Sequence, residues 1–404
     1  MSKLKVRLTR NLRKSIQQGH PWVYKEAIAP VVDVSSATLA RVLDSKNEDL
    51  AWAIYDPHSP LALRILSTDS APPSKTNGFF ERRYLRSKAL RETLLATRGH
   101  SHSETSAFRM FNGEGDLLPG LVCDRYGDIA VLQFDGTGPQ EFWNTDTVGG
   151  INGIADWLLE NLPVKTVVEK TRRSSERTIA HIAGDAVETT DLSVVVKEHG
   201  ALFEVNLEKG QKTGFFLDQR ENRFYVREGS KGKSVLNLFS YTGGFSVSAG
   251  LGGAEKVVSV DISQGAIDAS KKNWELNGLK SGSHEGLAVD VFDFVKTSQD
   301  TWDHVIVDPP SMGHSEDRKE IAIQKYTELF AIAARKVKSA GELSLSSCSS
   351  HISFEDFFKI ISDALSVARR RGQIARVSGQ GADHPFPHAC PELRYLKYVH
   401  LWLD

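Results

Sequence analysis

The sequence predicts an α/β protein, with a parallel sheet covered on both faces by helices, preceded by a small β-barrel-like module and a small α+β domain. Three observations predict this. After Leu192, short apolar runs at 235–239, 256–260, 286–290, 304–307 and 342–346 are each followed by a helix-compatible stretch. Strands alternating with helices build a parallel sheet buried on both sides. Near the start, strand-like runs at 5–8, 41–43, 51–55 and 62–66 are separated by turn residues, which suggests a small β module. Between these parts, a helix over 79–97 leads into strand-like runs at 107–112, 121–124, 130–134 and 166–169.

Two seams divide the parts. Ser70-Ala71-Pro72-Pro73-Ser74-Lys75 reads as a linker, because paired prolines among small residues cannot continue a helix or a central strand. The second lies around 184–192, so the expected domains are 1–72, 73–190 and 191–404. The length of 404 residues agrees with two or three domains.

Composition narrows the class. An apolar fraction of 40% suffices for real cores, and a formal net charge of −1 gives no global field toward nucleic acid. RNA contacts must then come from local patches. No apolar run is long enough for a membrane span, and the basic start, 1–14, lacks the apolar stretch of a signal peptide. Three widely spaced cysteines, Cys123, Cys348 and Cys390, argue against a disulfide framework or a zinc site and fit a reducing cytoplasm.

The α/β part opens on Val235-Leu236-Asn237-Leu238-Phe239-Ser240-Tyr241-Thr242-Gly243-Gly244, a strand running into a glycine turn and then a helix. The glycines are expected to let a ligand approach the backbone. About 20 residues on, the next strand ends in Asp261, placed to accept hydrogen bonds from ribose hydroxyls. A dinucleotide site would need Gly-x-Gly-x-x-Gly for its pyrophosphate, and the spacing here does not fit. S-adenosylmethionine has no phosphate and needs only the ribose acid and contacts to adenine. Asp290, expected at the end of the third strand, suits the exocyclic amine, and Phe292 could pack on the base. The competing reading is a glycine turn with helix-capping acids.

The fourth strand ends in Asp308-Pro309-Pro310 and the fifth in Ser346-Ser347-Cys348-Ser349. Both ends face the crevice where open α/β sheets bind ligands. Most buried cysteines are small apolar fillers, but Cys348 stands among hydroxyls at a strand end. A thiolate adding to carbon 6 of cytosine makes carbon 5 able to attack a sulfonium methyl. Asp308 could assist at ring nitrogen 3. The base for the carbon 5 proton is not identified. His351 reads as a surface or cap residue, and Cys123 and Cys390 read as structural.

These residues, with several motifs, resemble the single-chain large-subunit ribosomal RNA cytosine-5 methyltransferases that carry an N-terminal PUA domain. The motifs run nearly the full length: His20-Pro21-Trp22-Val23; Asn112-Gly113-Glu114-Gly115-Asp116; Leu118-Pro119-Gly120-Leu121; Gly210 to Arg223; Asn237 to Gly243; Asp308-Pro309-Pro310; Ser347-Cys348-Ser349; Ala382-Asp383-His384-Pro385; and Tyr395-Leu396-Lys397. Departures are Ser311, often lysine in similar sequences, and a partial match over 169–177. The resemblance implies a PUA domain, a small middle domain and a Rossmann-like class I methyltransferase domain with a final antiparallel strand. It implies Cys348 as nucleophile, with Asp218, Arg220, Asp261, Asp290 and Asp308 around cofactor and target base. Phe216, Asn237, Phe239, Ser240, Tyr241, Thr242, Gly243, Ile262 and Val291 complete the expected S-adenosylmethionine site, where Arg220 could hold the cofactor carboxylate bidentately.

Candidate phosphate contacts are Arg7, Arg10, Arg13 and Lys14; Arg82, Arg83, Arg86, Lys88 and Arg91; Lys170, Arg172, Arg173 and Arg177; and Arg369, Arg370 and Arg371. Trp22 and Tyr24 could stack on bases. The expected partner is large-subunit ribosomal RNA, without a membrane, and an exposed edge in the first module would allow a homodimer. The alternatives are a methyltransferase acting on a base nitrogen, with Cys348 incidental, and a non-catalytic RNA-binding assembly factor. The missing phosphate fingerprint sets a nicotinamide dehydrogenase below both.

Overall fold

The computed structural model describes residues 4–97, 104–173, 176–313 and 316–404. The chain forms two compact units. One comprises Met1–Val196, Val205–Leu217 and Ala382–Leu393; the other comprises Lys197–Glu204, Asp218–Gly381 and Arg394–Asp404. No helix among the described residues is long and apolar enough to cross a membrane.

The first unit holds two five-stranded sheets. One orders Leu4–Arg7, Thr38–Leu43, Asp49–Tyr55, Leu63–Ser67 and Trp22–Val23, antiparallel apart from the first pair. The other orders Glu176–Gly184, Thr166–Arg173, Ile129–Phe134, Leu121–Tyr126 and Ala107–Asn112. The seam at 70–75 leads to Ser74, whose side chain accepts from the Thr76 amide, and the helix Phe79–Thr97 follows. Its buried positions Phe80, Tyr84, Ser87, Arg91 and Leu95 recur every three or four residues, which is one helical face. Arg91 is tolerated there because its guanidinium donates to both Asp116 oxygens, at 2.5 and 2.6 Å, and to the Asp383 carbonyl at 2.8 Å.

The second unit is built on strands β1 (Ser234–Leu238), β2 (Lys256–Asp261), β3 (His284–Ala288), β4 (Trp302–Val307), β5 (Val337–Ser347), β6 (Gly372–Ser378) and β7 (Lys397–Leu403). Its helices are α1 (Arg220–Gly229), α2 (Gly244–Leu251), α3 (Gln264–Leu276), α4 (Val291–Thr297), α5 (Lys319–Arg335) and α6 (Phe354–Ala368). The spatial order is β3-β2-β1-β4-β5-β7-β6, with β7 antiparallel to both neighbours. Leu236 and Leu238 of β1 pack with Val305, Tyr326 and Leu329, while Val235 packs with Val226 and Phe245. Burial on both faces is why these strands read as near-continuous apolar runs. Strand order reverses at β1, so the carboxyl ends of β1 and β4 border the ligand crevice of such sheets. The third strand ends earlier than expected, at Ala288, because Asp290 has left the sheet to cap α4.

Arg223 of α1 is fixed by Glu198, its guanidinium donating at 2.7 and 2.5 Å with both side chains 3% exposed. Removing one partner leaves the other charge buried, which costs about 3–5 kcal/mol. Arg223→Met is expected to lower the unfolding free energy by about that amount, read from urea denaturation.

Candidate active site

The turn after β1 is conformationally costly. Phe239, Tyr241 and Gly243 lie in the left-handed region, with φ of 57°, 48° and 80°. For the two non-glycines this costs roughly 1–2 kcal/mol each, and such strain collects at functional sites. Asp261 braces the turn: its Oδ2 accepts the Tyr241 amide at 2.9 Å and its Oδ1 accepts the Ser263 amide at 3.0 Å. The acid at the tip of β2 is therefore held by two backbone donors.

Gly243 also has a packing role. A Cβ there would lie 2.2 Å from Ser270 Oγ on α3, so the bare backbone makes room for that helix. Gly243→Ala combines this clash with positive φ and is expected to cost about 2–4 kcal/mol. Thermal melting would show the loss, and calorimetry would show weakened S-adenosylmethionine binding.

Ser240 Oγ and Thr242 Oγ1 are buried without a hydrogen-bond partner among the described residues. Buried hydroxyls are normally satisfied, so these two fit a polar ligand seated in the turn. Ile262, next to Asp261, is 73% exposed, an apolar surface suited to a flat base. The donor set therefore fits S-adenosylmethionine. Asn237 lies beneath the turn, buried, donating to Ser246 Oγ at 2.8 Å; it supports the turn from below. Asp290 accepts the Asp293 amide at 3.1 Å as an N-cap, so one of its oxygens is structural. Val291 is buried in the core. Phe292 packs at right angles to Phe239, 6.4 Å between centroids.

The loop into α1 supplies further polar groups. Asp218 is buried and accepts the Tyr395 hydroxyl at 2.7 Å. Arg220 is also buried and donates to Glu221 at 3.1 Å, so it is no surface pair. Phe216 belongs to the other unit, where Lys212 Nζ lies 4.9 Å over its ring.

Asp308 follows β4, and Cys348 follows β5, the strand paired beside it. Both are half-buried. Gln219 orients the carboxylate: its Nε2 donates to Asp308 Oδ1 at 2.9 Å and to Ser346 Oγ at 3.3 Å. Gln219 is itself fixed by Asn222, which donates to its Oε1 at 2.7 Å. Ser349 Oγ donates to the Gly313 carbonyl at 3.1 Å, tying the Asp-Pro-Pro loop to the cysteine turn. From below, Ser347 Oγ donates to the Tyr326 hydroxyl at 3.1 Å. Sequence reasoning missed Gln219 as a site residue, although it lies inside the Gly210-to-Arg223 motif.

The other cysteines agree with structural roles. Both are buried; burial pushes the Cys123 thiol far up and the Cys390 thiol to about 12. Several expected phosphate contacts are also structural. Arg83 donates to the Leu117 and Leu66 carbonyls, Arg91 is buried on Asp116, and Arg13 pairs with Asp44 and Glu48. Trp22 Nε1 donates to Glu114 at 2.9 Å. Arg7, Arg10, Lys14, Arg82, Arg86, Arg369 and Arg371 are exposed, as is Tyr24. The side chains of Arg172, Arg173 and Arg177 lie outside the described residues.

Residues 127–348 match the family described as S-adenosylmethionine-dependent methyltransferases, and residues 6–68 match the one described as PUA-like domains. A ribosomal RNA large subunit methyltransferase of Deinococcus radiodurans is 34% identical, covering 100% of this chain and 98% of its own. The ribosomal RNA large subunit methyltransferase I of Shigella boydii serotype 4 is 33% identical, over 96% of this chain and 97% of its own. A SAM-dependent methyltransferase from Streptococcus mutans, solved by structure, is 24% identical with a TM-score of 0.83, over 99% of this chain and all of that one. A methyltransferase solved in complex with SAH has the same TM-score and identity, over the whole of both chains. At these identities the solved structures show a shared fold.

Proposed function

The chain belongs to the S-adenosylmethionine-dependent methyltransferases, among the ribosomal RNA large subunit methyltransferases, and from that premise we propose that it methylates carbon 5 of a cytosine in large-subunit ribosomal RNA through a covalent Cys348 adduct. The observation that carries the proposal is the pairing of strand ends: a half-buried thiol after β5 beside a carboxylate after β4 that Gln219 holds in place. Chemistry on a nitrogen needs no such thiol.

The glycine turn, Asp261, Asp290 and Ile262 would hold the cofactor, which supplies an electrophilic methyl on a sulfonium sulfur. The protein's part is to make carbon 5 nucleophilic. Cys348 Sγ, as thiolate, forms a bond to carbon 6 of an extruded cytosine. Asp308, entering the step as the carboxylic acid, donates its proton to ring nitrogen 3 as the negative charge moves into the ring, and takes it back when the thiolate leaves. Carbon 5 is then enamine-like. Once it carries the methyl group, a base removes its proton, the carbon 6–sulfur bond breaks, and Cys348 leaves as thiolate while nitrogen 3 gives up its proton.

RNA is bound through the PUA-like module in this reading, with Arg7, Arg10 and Lys14 at phosphates and Tyr24 available for stacking. The reading implies a cytoplasmic site of action. The test is transfer from labelled S-adenosylmethionine to unmodified large-subunit ribosomal RNA, with nucleosides separated by mass spectrometry. The expected product is 5-methylcytidine; a nitrogen-methylated base would replace this reading with the alternative chemistry.

A further inference from the structure

We propose that Lys397 is the positioning cation of the active-site turn, a buried ammonium clamped beside Cys348 that holds its sulfur as thiolate. The inference rests on the reading of Cys348 as nucleophile given above.

Lys397 is the first residue of β7 and lies opposite Ser347 in the antiparallel pairing with β5. It is 1% exposed. Its Nζ donates to the Ser349 carbonyl at 2.5 Å and to the Tyr395 carbonyl at 2.8 Å. The lysine is thus paired with the residue before Cys348 and hydrogen-bonded to the residue after it. Backbone pairing, not a flexible surface stem, brings the charge to the sulfur. Lysine is almost never fully buried without a charge partner, and carbonyl oxygens solvate an ammonium without neutralising it. Burial lowers Lys397, the Cys348 sulfur and the Asp356 carboxylate oppose that, and the balance leaves it at about 8, above neutral pH.

Four other titratable groups stand near the turn among the described residues. Tyr326 of α5 is pushed up to about 12 by burial and stays neutral. Asp356 of α6 is paired with Lys319 at 2.9 Å. Asp308, after β4, would oppose a thiolate, and Gln219 donates to it. His351 lies three residues further along the cysteine loop. A cation beside a thiol favours the ionised, nucleophilic form.

The test is the pH dependence of Cys348 alkylation by iodoacetamide, read peptide by peptide in the intact protein and in Lys397→Met. The expected result is a midpoint at least about 1 pH unit higher in the variant, with roughly tenfold slower alkylation near pH 7 and the same plateau at high pH. An unchanged midpoint in a variant that melts cooperatively would overturn the proposal. If the variant does not fold, the wild-type curve decides: a midpoint at or above that of an unstructured peptide spanning Cys348 also overturns it. Methyl transfer by Cys348→Ala separates the two claims. Transfer retained by that variant, with the alkylation midpoint still shifted by Lys397→Met, removes the nucleophile reading and leaves the lysine–cysteine pair standing.

Discussion

Cys348→Ala is expected to lose methyl transfer to RNA by at least about 10³-fold while still binding S-adenosylmethionine. The size follows from the chemistry: without a bond at carbon 6, carbon 5 of cytosine lacks the electron density to take a methyl group, and a nucleophile that splits one hard step into two contributes several orders of magnitude. Alanine removes the sulfur from a half-buried turn that the Ser347 and Ser349 hydroxyls still tie to Tyr326 and Gly313; because it also takes a partner from the buried Lys397, retained cofactor binding is the control for a folded site. Single-turnover transfer measured beside cofactor calorimetry separates the outcomes. Lost transfer with retained binding is expected; full activity would make Cys348 a packing residue.

Asp308→Asn is expected to slow transfer by roughly 10²–10³-fold, within the range for losing a positioned proton-transfer or hydrogen-bonding group. The amide keeps the shape of the carboxyl group but cannot transfer a proton to nitrogen 3. Gln219, which donates to Asp308 Oδ1 at 2.9 Å and is fixed by Asn222, can keep donating to the oxygen of the new amide. The loss should fall mainly on kcat; a rise confined to the KM for S-adenosylmethionine would make Asp308 a cofactor ligand instead. Gln219→Ala is a weaker version of the same change, since it frees the carboxylate without removing it.

What the sequence disclosed depended on how local each feature was. The helix at Phe79–Thr97 was legible because strong helix formers run there without a glycine or proline, and the parallel strands because burial on both sides leaves apolar runs. Asp308 and Cys348 were legible because a polar residue at the end of such a run has nowhere to point but the crevice. Tertiary partners were not. Lys397 gains its meaning only from lying opposite Ser347, about 50 residues away. Arg83 and Arg91 sit in a basic run that looks solvent-facing until their carbonyl and Asp116 partners come into place. The strands Ser193–Glu198 and Ala201–Asn206 were missed because their alternation is short, and the strand Glu176–Gly184 because a bulge interrupts its register near His181. The packing role of Gly243 was not legible, because its neighbour across the turn, Ser270, is distant in sequence.

The covalent adduct itself is the most direct test. Large-subunit ribosomal RNA transcribed with 5-fluorocytidine presents a target whose fluorine cannot leave as a proton does, so the final elimination of sulfur is blocked after methyl transfer. The expected result is a denaturant-stable protein–RNA complex that forms only with S-adenosylmethionine, maps by mass spectrometry to Cys348 and is absent in Cys348→Ala. Normal turnover of unsubstituted RNA to 5-methylcytidine, with no trapped complex on the fluorinated RNA or with one mapping elsewhere, would contradict it.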